Sequence, residues 1–326
     1  MKKSLHSLLQ KCVLSLSLAL ALHFSSFSQL SAGNYFEGGI TVGPMGVLCD
    51  LGGNLGTGKG FLKDYNIPNT KLSYGASITA HPAEWLGIRL ALNFGSVAAD
   101  DAKTTGKGGE EETRRNRNLN FRSNITEGFI AAEVYPTVFF ENDPTDVQGR
   151  LRPYGIIGVG VFHFNPQGTY TDSATGLQSW VDLRPLHTEG EGFAEYPERK
   201  EYALTQINIP MGVGIKYYFN ENINISFEIV HRKLFTDYLD DVSTTYVDPS
   251  LFYKYLSPAE AKIAVEMSNK SPLRSTPNSG YNPGDKRGDP TQNDSYFTTT
   301  FKLGIRLGSS SEQQWRNSTR CPIMRF

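Results

Sequence analysis

Cysteine is nearly absent: three residues in 326, at positions 12, 49 and 321. Thiols so few and so far apart build no disulfide framework. Charge of either sign is not in excess, with 32 Lys and Arg against 33 Asp and Glu. That balance excludes the basic surface with which nucleic-acid binders neutralise phosphates. Long apolar runs are also missing. Residues 12–24 (CVLSLSLALALHF) form the one sustained stretch, shorter than the roughly 20 residues a membrane helix needs. The mean hydropathy of -0.36 suggests a water-soluble chain at first sight. The inference is unsafe, because strands that alternate their faces hide lipid exposure from any averaging window.

Residues 1–28 read as a secretory signal peptide. Lys2, Lys3 and Lys11 supply the positive start, and residues 12–24 the apolar stretch. Ser26 and Ser28 are small residues where a signal peptidase cuts, which predicts cleavage between Ser28 and Gln29. Cys12 lies inside the apolar stretch and follows Lys11, so a lipoprotein reading is rejected. Loss of the three lysines takes the formal charge from -1 to -4.

Beyond Gln29 the chain alternates with period two. In 86–95, Leu86, Ile88, Leu90, Leu92 and Phe94 share one face, against Gly87, Arg89, Ala91 and Asn93. In 223–232, Ile223, Ile225, Phe227 and Ile229 oppose Asn224, Ser226, Glu228 and Arg232. Residues 205–217 and 297–307 repeat the scheme, and 35–45, 71–81, 120–139 and 153–164 follow it less strictly. Period two makes these strands with one apolar and one polar face. There are eight, each of a length that crosses a bilayer at a tilt.

The connections choose the architecture. Pro82–Trp85, 140–151 and Asn220–Asn222 are short, whereas 46–70, 98–118, 165–203 and 237–294 are long and polar. Short and long alternate throughout, as they do in an antiparallel up-and-down barrel whose loops collect at opposite rims. The expected fold is therefore all-β: an eight-stranded transmembrane barrel of OmpA or OmpX size in a Gram-negative outer membrane. Its barrel would occupy residues 29–307, followed by a periplasmic tail over 308–326. Tyr35, Trp85, Tyr135, Phe139, Phe140, Tyr154, Tyr217, Tyr218 and Phe219 gather near the short-turn rim, as an interfacial girdle against lipid would.

Glu37, Arg89, Glu127, Glu133, Lys216, Glu228, Arg232, Lys302 and Arg306 all fall on polar faces. A charge at the bilayer midplane costs about 2–4 kcal/mol, so these nine should point inward. Eight strands enclose a space that side chains fill. The expectation is a lumen closed by ion pairs rather than a channel.

Several local patterns invite reading as sites. Gly53–Lys59 matches most of a P-loop, but Gly60 stands where Ser or Thr would bind magnesium, and no strand and helix flank it. Arg287–Asp289 spells an integrin-type tripeptide in a loop whose composition makes it by chance. Asp237, Asp240, Asp241 and Asp248 offer the oxygen ligands calcium takes, without EF-hand spacing; a solvated acidic rim is the ordinary alternative. His81, His163, His187 and His231 lack zinc spacing. No local Ser/His/acid signature is present, and neither an enzyme nor a cofactor is expected. Ser257 and Glu260 form a capping box before Pro258, predicting a helix over 258–268. Residues 269–294, rich in Pro, Gly, Asn and Asp, are expected to be mobile.

Residues 35–53 (YFEGGITVGPMGVLCDLGG), 152–165 (RPYGIIGVGVFHFN), 180–190 (WVDLRPLHTEG), 204–215 (LTQINIPMGVGI) and 223–243 resemble the PorG-like outer-membrane barrels of Bacteroidota. The resemblance implies an accessory barrel of the type IX secretion system that meets periplasmic ring lipoproteins. Trp85 and Trp315, on the short-turn side, are the candidate anchors for such a partner. From another class, an OmpX-like surface barrel would use its long loops to bind an external ligand or partner.

Overall fold

The computed structural model describes residues 35–52, 70–104, 110–140, 150–172, 175–220 and 222–307. The signal-peptide reading, Gly53–Lys59, Trp315, Cys321 and the 308–326 tail lie outside these residues. Eight long strands carry the architecture: β1 (Tyr35–Leu48), β2 (Lys71–Ala83), β3 (Leu86–Asp100), β4 (Asn120–Val134), β5 (Leu151–His163), β8 (Thr205–Tyr218), β9 (Ile223–Leu234) and β10 (Ser295–Leu307). Two short ones, β6 (Gln167–Thr171) and β7 (Gln178–Asp182), form a hairpin between β5 and β8. Each long strand pairs antiparallel with its chain neighbours, and β1 pairs with β10, so the sheet closes on itself. Closure matters because an open edge would leave backbone amides unpaired in lipid.

The alternation sets which face looks out. Ile40, Leu72, Ile78, Leu90, Leu92, Ile130, Val159, Val161, Ile207, Val213, Phe227, Phe301 and Leu303 are all exposed on the outside of the cylinder. Every one of the eight strands contributes to this apolar band. An apolar band around the whole circumference has only lipid as a suitable solvent. Between β2 and β3 the connection is Glu84–Trp85, and between β8 and β9 it is residues 219–222. The long connections leave the other rim.

Two local expectations are corrected. The fourth strand ends at Val134 rather than running to 139, because Pro136 has no amide for the ladder and opens the 3-10 turn Pro136–Phe140. Tyr135 and Tyr154 are buried inside the barrel and do not belong to the girdle. The exposed aromatics near that rim are Trp85, Phe139, Phe140, Tyr217 and Phe219.

Over the opposite mouth the loops fold into a cap. Its core joins Leu51, Leu119, Phe164, Leu186, Phe193, Leu239, Val247 and Phe252 from all four long connections. Three helices serve it: α1 (Glu110–Arg117), α2 (Pro249–Tyr255) and α3 (Pro258–Ser268). Helix α3 starts on the capping box of Ser257 and Glu260, and buries Ala261, Ala264 and Met267 at a spacing of three. Residues 269–294 are not a loose strap. They return across the cap, with Thr245 bridged to Lys286 and Arg287 buried.

Candidate functional site

Inside the barrel the polar faces converge on a paired charge network. Four acids, Glu37, Glu127, Glu133 and Glu228, meet four bases, Arg89, Lys216, Arg232 and Lys302, and all eight are buried. The balance follows from strand register. Glu37 on β1 lies level with Thr79 and Arg306 on its neighbours; Lys302, four residues along the adjacent β10, reaches it from the side, and Lys216 on β8 reaches it from a non-adjacent strand.

Near the short-turn side, Arg89 grips both oxygens of Glu228 at 2.8 and 2.6 Å and turns its Nε to Glu133. Lys216 donates to Glu37 at 3.0 Å, while Lys302 stands 3.1 Å from Glu37 and 3.5 Å from Glu133. Tyr135 and Tyr154 donate their hydroxyls to Glu133 and Glu228. Closer to the cap, Arg232 donates to Glu127 at 3.1 and 3.2 Å. Glu127 also accepts from Asn93, Asn208 and Tyr296 at 3.0, 2.8 and 3.0 Å. Burying one ion costs several kcal/mol, and only such multiple pairing offsets it. These side chains meet one another inside the barrel.

Arg306 departs from the expected set. It has the inward parity, but it is only half-buried at the rim, where its guanidinium lies 4.0 Å over the Tyr35 ring. Among the described residues it forms no ion pair. Packing leaves little slack elsewhere: a Cβ on Gly304 would stand 2.4 Å from Asn224 and 2.8 Å from Glu37.

Two guanidiniums staple the cap. Arg117 on α1 pairs with Asp101 at 2.8 Å and donates to the carbonyls of Asp50 and Arg287 at 2.6 and 2.7 Å. Arg287 pairs with Glu189 at 2.8 Å and donates to the carbonyls of Asp241 and Ser268. Together they reach every long connection. Arg287 is therefore no displayed integrin-type ligand. Burial, with Asp241 and Glu189 nearby, pushes the Glu191 carboxyl up to about 8. Sequence reading missed Asp101, Arg117 and Glu189, which sit in the long connections, where no period-two alternation marks what is buried.

The acidic run divides. Asp248 is exposed and caps α2 through the amide of Ser250. Asp241 accepts from Thr188 and from Tyr202, the latter at 2.6 Å. Asp240 turns toward Cys49 and Asp294 instead, and Asp237 is buried. At the opposite end of the molecule Trp85 is exposed and leans on Phe139, with ring centroids 6.0 Å apart.

No family model and no curated protein sequence matches the chain. Several solved structures align with it. Ail, the attachment invasion locus protein of Yersinia pestis, in complex with the heparin analogue sucrose octasulfate, is 8% identical with a TM-score of 0.34, covering 84% of this chain and 99% of that one. The N-terminal β-barrel domain of Pseudomonas aeruginosa OprF is 12% identical, with a TM-score of 0.31 over 85% and 100%. A major outer membrane protein of Thermus thermophilus is 13% identical, with a TM-score of 0.35 over 83% and 99%. The barrel assignment rests on the closed strand pairing itself. This protein is an eight-stranded antiparallel β-barrel with a membrane-facing belt.

Proposed function

We propose that this protein is a non-enzymatic outer-membrane barrel, closed to solutes, that holds a folded cap outside the cell to bind an external ligand or partner. One observation carries the reading: four loops from separate strand pairs share a single buried core and two buried guanidiniums. Ordering so much chain costs roughly 1–2 kcal/mol per residue, which loops with no role beyond turning the chain need not offset. The short-turn rim, in contrast, spends few described residues on structure.

A second reading is the type IX secretion role that the PorG-like resemblance implies. The observation favouring it is the exposed pair Trp85 and Phe139 at the short-turn rim, a compact aromatic anchor of the kind protein partners bury. Photo-crosslinking amino acids placed in native membranes separate the two. Probes at Leu177 or Tyr253, both exposed on the cap, should capture an external partner. Capture of ring lipoproteins at Trp85 or Phe139, with silent cap positions, would reverse the order of the two readings.

A further inference from the structure

At the cap-side edge of the apolar belt, the outward-facing bases gather on one half of the barrel. Lys233 continues the outward row of Phe227, Ile229 and His231 on β9, and its side chain is exposed. It lies level with Ile209 on β8 and Ser295 on β10, and among the described residues no acid pairs with it. His163 closes the outward row of Val159 and Val161 on β5. Its Nδ1 lies 2.9 Å from Thr205 Oγ1, which leaves Nε2 for another partner. On β4, Arg122 shares the outward parity of Asn124 and Ile130, and its guanidinium lies 4.1 Å over the Trp180 ring.

The other half of the wall differs. At the same ends of β10, β1, β2 and β3 the outward residues are Phe297, Pro44, Leu72 and Phe94, and no base shares their parity. The nearby acids are engaged elsewhere. Asp182, which shares Gln167 with Arg122, accepts from the side-chain amides of Asn165 and Gln167 at 3.1 and 2.8 Å. Asp100, the outward acid that ends β3, accepts from the amide of Ala102. Hydrocarbon cannot answer an exposed cation, but lysine and arginine stems lie along apolar surface while their charges reach the headgroups. The exposed Trp180 suits the same zone, since tryptophan favours the membrane–water interface.

We propose that the β4–β5–β8–β9 half of the wall binds the phosphate of an outer-leaflet glycolipid, with Lys233, His163 and Arg122 as its contacts. Position and charge name the occupant. The bases continue directly from the lipid-facing belt, so the group that reaches them is a headgroup whose chains already lie against these strands. Phosphate is the anion that lysine and arginine meet there with charge-assisted hydrogen bonds. The choice of leaflet rests on the reading above that the cap lies outside the cell, whereas the contacts do not.

The test uses the full chain folded in detergent, with native mass spectrometry counting bound lipid and heat-modifiable migration confirming that each variant is folded. Diphosphoryl lipid A should bind at one per chain, and its dephosphorylated form at least tenfold more weakly. Inorganic phosphate should not displace it. Lys233→Gln should weaken binding about fivefold, the worth of one base at a membrane surface, and Lys233→Arg should restore it. Adding His163→Gln and Arg122→Gln to Lys233→Gln should abolish binding. Arg306→Gln, at the short-turn rim over Tyr35, should change nothing. Equal binding of the two lipid forms overturns the proposal, as does binding that falls with Arg306→Gln and not with Lys233→Gln. Displacement by inorganic phosphate overturns it too, since the site would then take the free anion. Trypsin added to intact cells checks the leaflet separately. Cleavage at Arg274, exposed on the cap, supports the outer leaflet, and protection overturns that assignment together with the reading it rests on.

Discussion

Arg287 Nη1 lies 2.8 Å from Glu189 Oε1, joining the last long connection to the third in a buried ion pair. Neither residue belongs to a regular element. With Arg117 and the shared apolar core it ties the four loops into one body, and the stability of the cap should depend on it separately from that of the barrel.

Replacing Arg287 with Met should therefore loosen the cap by about 3–5 kcal/mol, the usual cost of stranding a buried partner charge. Limited proteolysis checks this. The parent should be cut first within the exposed stretch 272–278, and the variant across the cap at rates at least tenfold higher. Heat-modifiable migration on gels, which reads the barrel, should not change.

Arg89→Leu and Glu228→Leu should each destabilise the barrel by about 3–5 kcal/mol, because each leaves a buried charge unpaired. The double substitution should cost clearly less than the sum, since the pair at 2.6 Å is removed whole. Urea unfolding in lipid vesicles, followed by tryptophan fluorescence, gives the three values. Strict additivity would mean that the pair is not coupled.

Purified protein in planar bilayers should give no stable porin-sized conductance. Four acids and four bases fill the lumen with one another as partners. Steady, ohmic, large openings from the unmodified chain would contradict the plug.

Glu191 should make the cap sensitive to pH. Its carboxyl lies near 4.5 in an open chain and is pushed up to about 8 in the fold, by burial first and then by Asp241 and Glu189. The folded state thus holds a proton that the unfolded state has released, so stability falls as pH rises. The contribution is complete below about 4.5 and lost as pH climbs through about 8. Protease resistance of the cap should drop between pH 5 and pH 8, and Glu191→Gln should flatten that slope. A cap that becomes more resistant as pH rises would reverse the sign.

Leu90→Arg should cost about 2–4 kcal/mol when the barrel folds into vesicles, because Leu90 faces out from the apolar band. Moving the same substitution to the edge of β3's exposed apolar row, as Phe94→Arg, should cost less. Equal penalties at both positions would remove the lipid gradient from the explanation.

Sequence alone was enough for the barrel because period two is a local property. Leu90 and Arg89 declare opposite faces by adjacency, and the sorting of short and long connections then closes the ring. It also placed Glu37, Arg89, Glu133, Lys216, Glu228 and Lys302 inside, since lipid excludes charge. What parity could not state is partnership. Which base meets Glu37 depends on strand stagger around the cylinder, and Arg306 shares the parity of Lys302 yet ends at the rim over Tyr35. The cap was out of reach for a stronger reason. Irregular loops carry no period, so nothing in the local text separates Arg287, buried on Glu189, from an exposed arginine in a glycine-rich loop. The same holds for Asp240 and Asp294, both in the last long connection. Only the tertiary fold, by carrying that connection back over the mouth, sets their carboxylates beside Cys49.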